Sequence, residues 1–170
     1  MNFKNKWLIG AVSAALIAAT THWEGVRYMP YQDVGDVWTV CEGYAGKDVD
    51  PKKVYTPAEC SKLLTTQLSA HGQAVLNCVN VPLNQNQFDA LTLFTYNVGG
   101  AAFCGSTVAK KLNAGDYHGA CEGLLAWDHA AGKEIPGLLA RRKYERDWCE
   151  RPITPAPLPA STPTKKEVTK

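Results

Sequence analysis

The chain has 170 residues, 45% of them hydrophobic and 20% charged: enough apolar material for one domain with a real core, and too much for a wholly disordered chain. A single long uncharged apolar stretch, at the N-terminus, excludes a multi-pass membrane protein. The formal charge of +2 is an average: residues 23–150 hold 12 Lys and Arg against 15 Asp and Glu, and the cationic excess sits at the two ends, so the central part lacks the basic patch of a nucleic-acid binder.

Lys4 and Lys6 precede an uncharged run of 17 residues, Trp7 to Trp23. A spanning helix needs about 20 residues and roughly 17 at the least, and lysines ahead of it favour a cytoplasmic N-terminus with export of the chain beyond the run. Three readings fit this run: a cleaved signal peptide, a permanent anchor, or a weakly held anchor that later leaves the bilayer. Its many Ala, Gly, Ser and Thr residues, set between Leu8, Ile9, Val12, Leu16 and Ile17, favour the weakly held anchor. The expected organisation is an anchor over 1–22, a folded domain over 23–150, and a solvated tail over 151–170, where five of the ten prolines lie.

Within the domain, residues 34–44 (VGDVWTVCEGY) are β-branched and aromatic with glycines at the edges, the pattern of a short hairpin or small sheet. Thr56-Pro57-Ala58-Glu59 reads as a capping box that opens a long helix carrying Leu63, Leu64, Leu68, Val75 and Leu76. A second helix starts after Asn84, with Phe88, Leu91 and Val98 at helical spacing, and stops at Gly99-Gly100. Shorter helices are predicted at Ser106–Asn113, Asp116–Ala130 and Pro136–Cys149. One small sheet followed by helices only is an α+β layout. It contains no phosphate loop, dinucleotide fingerprint or zinc-binding spacing, so neither a cofactor nor a metal is expected.

Cysteines at 41, 60, 78, 104, 121 and 149 form no CxxC pair, and their even number behind an export signal suggests disulfides made in an oxidising compartment such as a periplasm. Fifteen connectivities are open; 41–60, 78–104 and 121–149 is the preferred one, with buried free thiols as the alternative.

The segment from His22 to Gly46 carries the chemistry. Glu24 precedes a glycine, Asp33 comes nine residues later, and Thr39 six residues after that. Hydrolysis of a glycosidic bond needs one protonated carboxyl for the leaving oxygen and a second carboxylate to activate water or attack the sugar. A hydroxyl such as that of Thr39 can help to hold the water. Two acids at this spacing mean little alone, and structural ion pairs are the ordinary reading. The combined pattern E-G-x7-D-x5-T, with Tyr28-x-Pro30-Tyr31 between the acids and W-T-V-x-x-G after them, resembles the phage-type lysozymes of glycoside hydrolase family 24. Later segments match too: Tyr96-Asn97-Val98-Gly99-Gly100, Ser106-Thr107 and Gly137-Leu138-Leu139-Ala140-Arg141-Arg142. The N-terminal segment resembles that of signal-anchor-release endolysins.

The resemblance implies a lysozyme-like fold with a groove between a small β lobe and a helical lobe. It implies hydrolysis of the β-1,4 bond between N-acetylmuramic acid and N-acetylglucosamine in peptidoglycan, leading to host cell lysis. Glu24 would be the proton donor, Asp33 the residue that positions or deprotonates water, and Thr39 its assistant. The family is inverting, which implies carboxyls roughly 6.5–9.5 Å apart. An acid working near neutral pH needs a raised pKa, for which Trp23 and Tyr28 are the candidate apolar wall. Tyr96, Asn97 and Ser106 fall where the family lines its saccharide groove. Arg141 or Arg142 is a candidate partner for the catalytic Glu, with a solvated cationic stripe as the other reading. Glu42 and Asp36 read as surface acids, Glu42 being the reserve candidate for Asp33. One position departs from the family: Tyr44 replaces its histidine, and Gln67 stands where the answering acid belongs, so a neutral hydrogen bond between the two is expected. The implied partners are peptidoglycan and, through residues 7–21, the host inner membrane, with the domain in the periplasm as a monomer and active once released. A non-catalytic exported wall-binding module is the alternative function, and a disulfide-stapled inhibitor or structural protein a more distant one.

Overall fold

A computed structural model of the chain describes residues 11–33, 35–130 and 132–152. The predicted anchor before residue 11 and the tail beyond 152 lie outside the described residues. The first element is a helix, α1 (Ala14–Glu24), capped by the Ser13 hydroxyl, which accepts from the Leu16 N–H. It ends at Gly25, whose φ of 70° is open to glycine at no steric cost. Strands β1 (Arg27–Gln32) and β2 (Trp38–Cys41) form an antiparallel hairpin that pairs Tyr31 with Thr39 and Gln32 with Trp38. The hairpin therefore begins before the predicted segment, and Asp33 opens its turn.

Helix α2 (Pro57–Cys78) starts with the expected capping box between Thr56 and Glu59. It serves two cores. Its first turns, with Cys60 and Leu63, close a small core of Val40, Cys41, Val49 and Tyr55 under the hairpin. Further along, Leu64, Leu68 and Val75 enter the main helical core. Helix α3 (Gln85–Val98) is buried without a break from Phe88 to Thr95, as a helix surrounded by others must be. Gly72 lets α2 approach it closely: a Cβ there would lie 2.7 Å from Cζ of Phe88. Short helices α4 (Gly100–Gly105), α5 (Thr107–Asn113) and α6 (Tyr117–Gly123) come next, and α7 (Pro136–Cys149) closes the chain against α3.

Two expectations need correction. The second helix stops at Gly99 as expected, but a further short helix that was not predicted, α4, begins at Gly100. The helix predicted over Asp116–Ala130 ends at Gly123 and gives way to one 3₁₀ turn, Leu124–Ala126. Beyond it, β3 (His129–Ala130) and β4 (Lys133–Glu134) pair as a second small hairpin, so the layout is not one sheet followed by helices alone. The reason is tertiary. Nε of Arg142 takes the Trp127 carbonyl, a group that a continued helix would use internally, while the Trp127 ring meets Phe94 edge-on.

The preferred cysteine pairing holds: Cys41–Cys60, Cys78–Cys104 and Cys121–Cys149 are disulfides, and no described cysteine is free. Helix α1 packs on α3 and α2, with Leu16 0% exposed and Ala19 and Thr20 also buried. Among the described residues no helix is long and apolar enough to cross a membrane.

Candidate active site

Glu24 is the last residue of α1, where the Gly25 turn sends the chain into the hairpin. Its Oε1 accepts from Nη1 of Arg141 at 2.7 Å, an ion pair between the first helix and the last. This decides between the two readings of the arginines. Arg141 and Arg142 are both buried, at 5% and 0% exposure, and do not form a solvated stripe. The expected apolar wall is also revised. Trp23 turns to meet Tyr144 edge-on, with centroids 5.8 Å apart, Tyr28 is exposed, and the group in contact with the Glu24 carboxyl is a guanidinium.

Asp33 sits at the first hairpin's turn. Its Oδ1 accepts from the N–H groups of Gly35 at 2.8 Å and Val37 at 3.0 Å, and its own N–H donates to the Val37 carbonyl. One carboxylate oxygen is thus fixed by backbone and Oδ2 is left for other work. The turn is tight enough that Asp36 adopts a φ of 56°. Thr39, buried on β2 opposite Tyr31, donates its hydroxyl to the Val37 carbonyl at 3.1 Å, so the same residue braces Asp33 and Thr39. The hairpin register therefore sets Asp33 and Thr39 relative to each other, and Gly25 sets both relative to Glu24.

The remaining candidates are tied into the body of the protein. The Tyr96 hydroxyl is shared between Oε1 of Gln67 and the Glu42 carbonyl, at 2.8 Å from each. Burial, and then the carboxylates of Glu24 and Glu42, push its pKa well above the usual tyrosine range. Oδ1 of Asn97 accepts from Arg142. Ser106 caps α5 with its side chain on the Ala109 N–H. The neutral contact expected between Tyr44 and Gln67 is absent: the Tyr44 hydroxyl donates to Asp48 at 2.7 Å, and Gln67 answers Tyr96 instead. Glu42 is not a surface acid. It is 6% exposed, accepts from the Thr21 hydroxyl of α1 at 3.2 Å, and burial raises its pKa.

Glu145 is the residue that sequence reasoning missed. It is wholly buried on α7 and bridges Arg141 and Arg142. Its signal was present in the R-R-x-x-E spacing, which puts the acid three and four residues after the two arginines on one helical face.

The phage lysozyme family model matches residues 21–145, which span every element from the end of α1 into α7. The chain belongs to the phage lysozyme family. It is 46% identical over 126 residues to the SAR-endolysin of Bacteriophage PS119, an alignment covering 74% of this chain and 75% of that one. It is 43% identical over 126 residues to the SAR-endolysin of Enterobacteria phage P21, covering 74% and 76%. Among solved structures, a mutant of P22 lysozyme superposes with a TM-score of 0.71 at 37% identity, covering 80% of this chain and 95% of that one. The muramidase domain of SpmX from Asticaccaulis excentricus gives 0.77 at 29% identity, covering 83% and 98%. In this lysozyme-family chain, the hairpin with its own small core and the helical body built on α3 are the two lobes that the resemblance implied.

Proposed function

We propose that this protein is an endolysin, a muramidase that hydrolyses the β-1,4 bond between N-acetylmuramic acid and N-acetylglucosamine of peptidoglycan and so lyses the host cell. The observation that carries the reading is the pairing of a carboxyl at a helix end with a second carboxylate in a braced hairpin turn, Glu24 and Asp33, in a chain of this family.

In this mechanism protonated Glu24 gives its proton to the leaving glycosidic oxygen while Arg141 holds Oε1 and fixes the rotamer. Water attacks the anomeric carbon from the opposite face and passes a proton to Oδ2 of Asp33, whose other oxygen is held by Gly35 and Val37. The Thr39 oxygen, with its hydrogen directed to Val37, accepts a hydrogen bond from that water. Attack by water in a single step inverts the anomeric centre. Tyr96, Asn97 and Ser106 brace the groove from below, through Gln67, Arg142 and the first turn of α5 respectively. A wall-binding module would have no need of a proton donor opposite a water-activating carboxylate.

The proposed organisation keeps three parts: an anchor over 1–22 held in the inner membrane through residues 7–21, a monomeric catalytic domain over 23–150 in the periplasm, and a tail over 151–170. The anchored form is inactive, because Glu24 lies one residue beyond the uncharged run and cannot join its site while that run is in lipid. Release lets the segment fold on the domain. The seating of α1 on α3 supports this reading, as does the SAR-endolysin name of the relatives.

The test is turbidity loss of outer-membrane-permeabilised cells with wild type, Glu24→Gln and Asp33→Asn, alongside anomer analysis of the products. Lysis by wild type that is lost in both variants, with wall binding kept and the inverted anomer formed first, supports the proposal. Binding without lysis by wild type refutes it. Equal specific activity of membrane-bound and released protein would refute the anchored-inactive part.

A further inference from the structure

Glu145 lies one helical turn beyond the arginine that grips Glu24, and it joins that arginine to the next. Its Oε1 accepts from Nε of Arg141 at 3.0 Å, and its Oε2 accepts from Nη1 of Arg142. Arg141 goes on to Glu24 with Nη1 and to the Leu93 carbonyl with Nη2. Arg142 goes on to Asn97 and to the Trp127 carbonyl. The result is a chain running Glu24, Arg141, Glu145, Arg142, Asn97, buried in its three middle members and open at both ends.

Charge counting shows why the carboxylate matters. Behind Glu24 stand two guanidiniums and one carboxylate, a fixed charge of +1. Without Glu145 that charge is +2, one cation of it in direct contact with Glu24. Glu145 and Arg142 are 0% exposed and Arg141 5%, so solvent reaches this difference only from the Glu24 side. A positive charge added beside a proton donor favours the donor's ionised form, which has no proton to give. Burial pushes the Glu145 carboxyl up from the ordinary range, Arg142 and Arg141 pull it back, and a guanidinium lies on each of its oxygens.

We infer that Glu145 is a positioning residue that acts through Arg141: it holds that guanidinium and offsets its charge beside the Glu24 carboxyl, and so sets the alkaline limb of the activity profile. This rests on the reading of Glu24 as the proton donor. The other titratable groups facing the chain are accounted for. Tyr96 from α3, its pKa raised by burial and the nearby carboxylates, stays protonated through the working range. Glu42, just beyond β2, is the same in every variant compared. Arg146 on α7 is occupied by Glu122 of α6 and by Asp147.

The experiment measures lysis rate against pH for released wild type, Glu145→Gln, Arg142→Gln and Glu24→Gln, with a thermal melt of each. Glu145→Gln moves the alkaline limb to lower pH by about one unit, roughly a tenfold loss at any pH above it. Arg142→Gln, which removes a cation instead, moves the limb the opposite way. A purely structural role lowers the melting temperature and scales activity equally at all pH, so an unmoved limb in the folded variants overturns the inference. Should Glu145→Gln fail to fold, Arg142→Gln decides alone: an upward shift supports the inference, and no shift or a downward one overturns it. Activity retained by Glu24→Gln overturns the donor reading, a failure told apart because it is read from the level of activity and not from the position of the limb.

Discussion

Leu16→Ala tests how firmly the released segment is seated. Leu16 is 0% exposed and is the one large side chain among the three that α1 buries, the others being Ala19 and Thr20. Truncating a leucine in such a site costs about 3 kcal/mol, the lost transfer energy plus the cavity left behind. Ile17 and Trp23 add partly buried apolar contacts, and polar contacts hold the ends: Ser13 on Asp89 at 2.6 Å, Thr21 on Glu42 at 3.2 Å, and Glu24 on Arg141 at 2.7 Å. With Leu16 its one fully buried large side chain, α1 can open by itself before the body unfolds. Amide hydrogen exchange in the purified released protein reads this out directly. At about 1.4 kcal/mol per decade, exchange over residues 14–24 should quicken roughly a hundredfold, while α3 amides stay unchanged. Lysis should fall with the undocked fraction, since Glu24 rides on the last turn. Equal acceleration in α1 and α3 would refute the reasoning, because α1 would then be part of the one cooperative unit.

A buried acid and a disulfide supply two more tests. Asp89 is buried, accepts from Ser13 and Gln85, and has its pKa raised by burial, so its stabilising contribution is full below the ordinary carboxylate range near 4 and is lost as pH rises through the elevated value. Melting temperatures between pH 4 and 8 should therefore fall less steeply with rising pH in Asp89→Asn than in wild type; parallel curves would count against it. Replacing Cys121 and Cys149 together by serine opens a loop of 28 residues' separation between α6 and α7, which costs roughly 3–4 kcal/mol and about 10 °C in melting temperature. Calorimetry under oxidising conditions checks this, and a change below about 3 °C would show that core packing holds the two helices unaided.

Local chemistry explains what was legible in the sequence. The capping box at Thr56 and Glu59, the Pro136 start of α7 and the sequential cysteine pairs each depend on residues a short distance apart. The acid pair was legible for the same reason, since Glu24, Asp33 and Thr39 lie within one short stretch whose turns the glycines dictate. The failures were long-range. The helix expected through Ala130 was cut short because Arg142 claims the Trp127 carbonyl. Glu42 looked like a surface acid until Thr21 and Tyr96 closed over it from two other helices.

Composition at the outset separated a cationic start, an acidic middle and a cationic proline-rich end, and it did so because charge and apolar runs are properties of the chain itself. Sequence alone determined the family and most of the secondary elements, and it pointed to the two carboxyls proposed for catalysis. It left open how Glu24, the proposed proton donor, is held, because that depends on a guanidinium 117 positions away and on a buried carboxylate behind it. Only the packing of α7 across α1 and α3 brings those charges within reach of one another, and only burial makes their balance count.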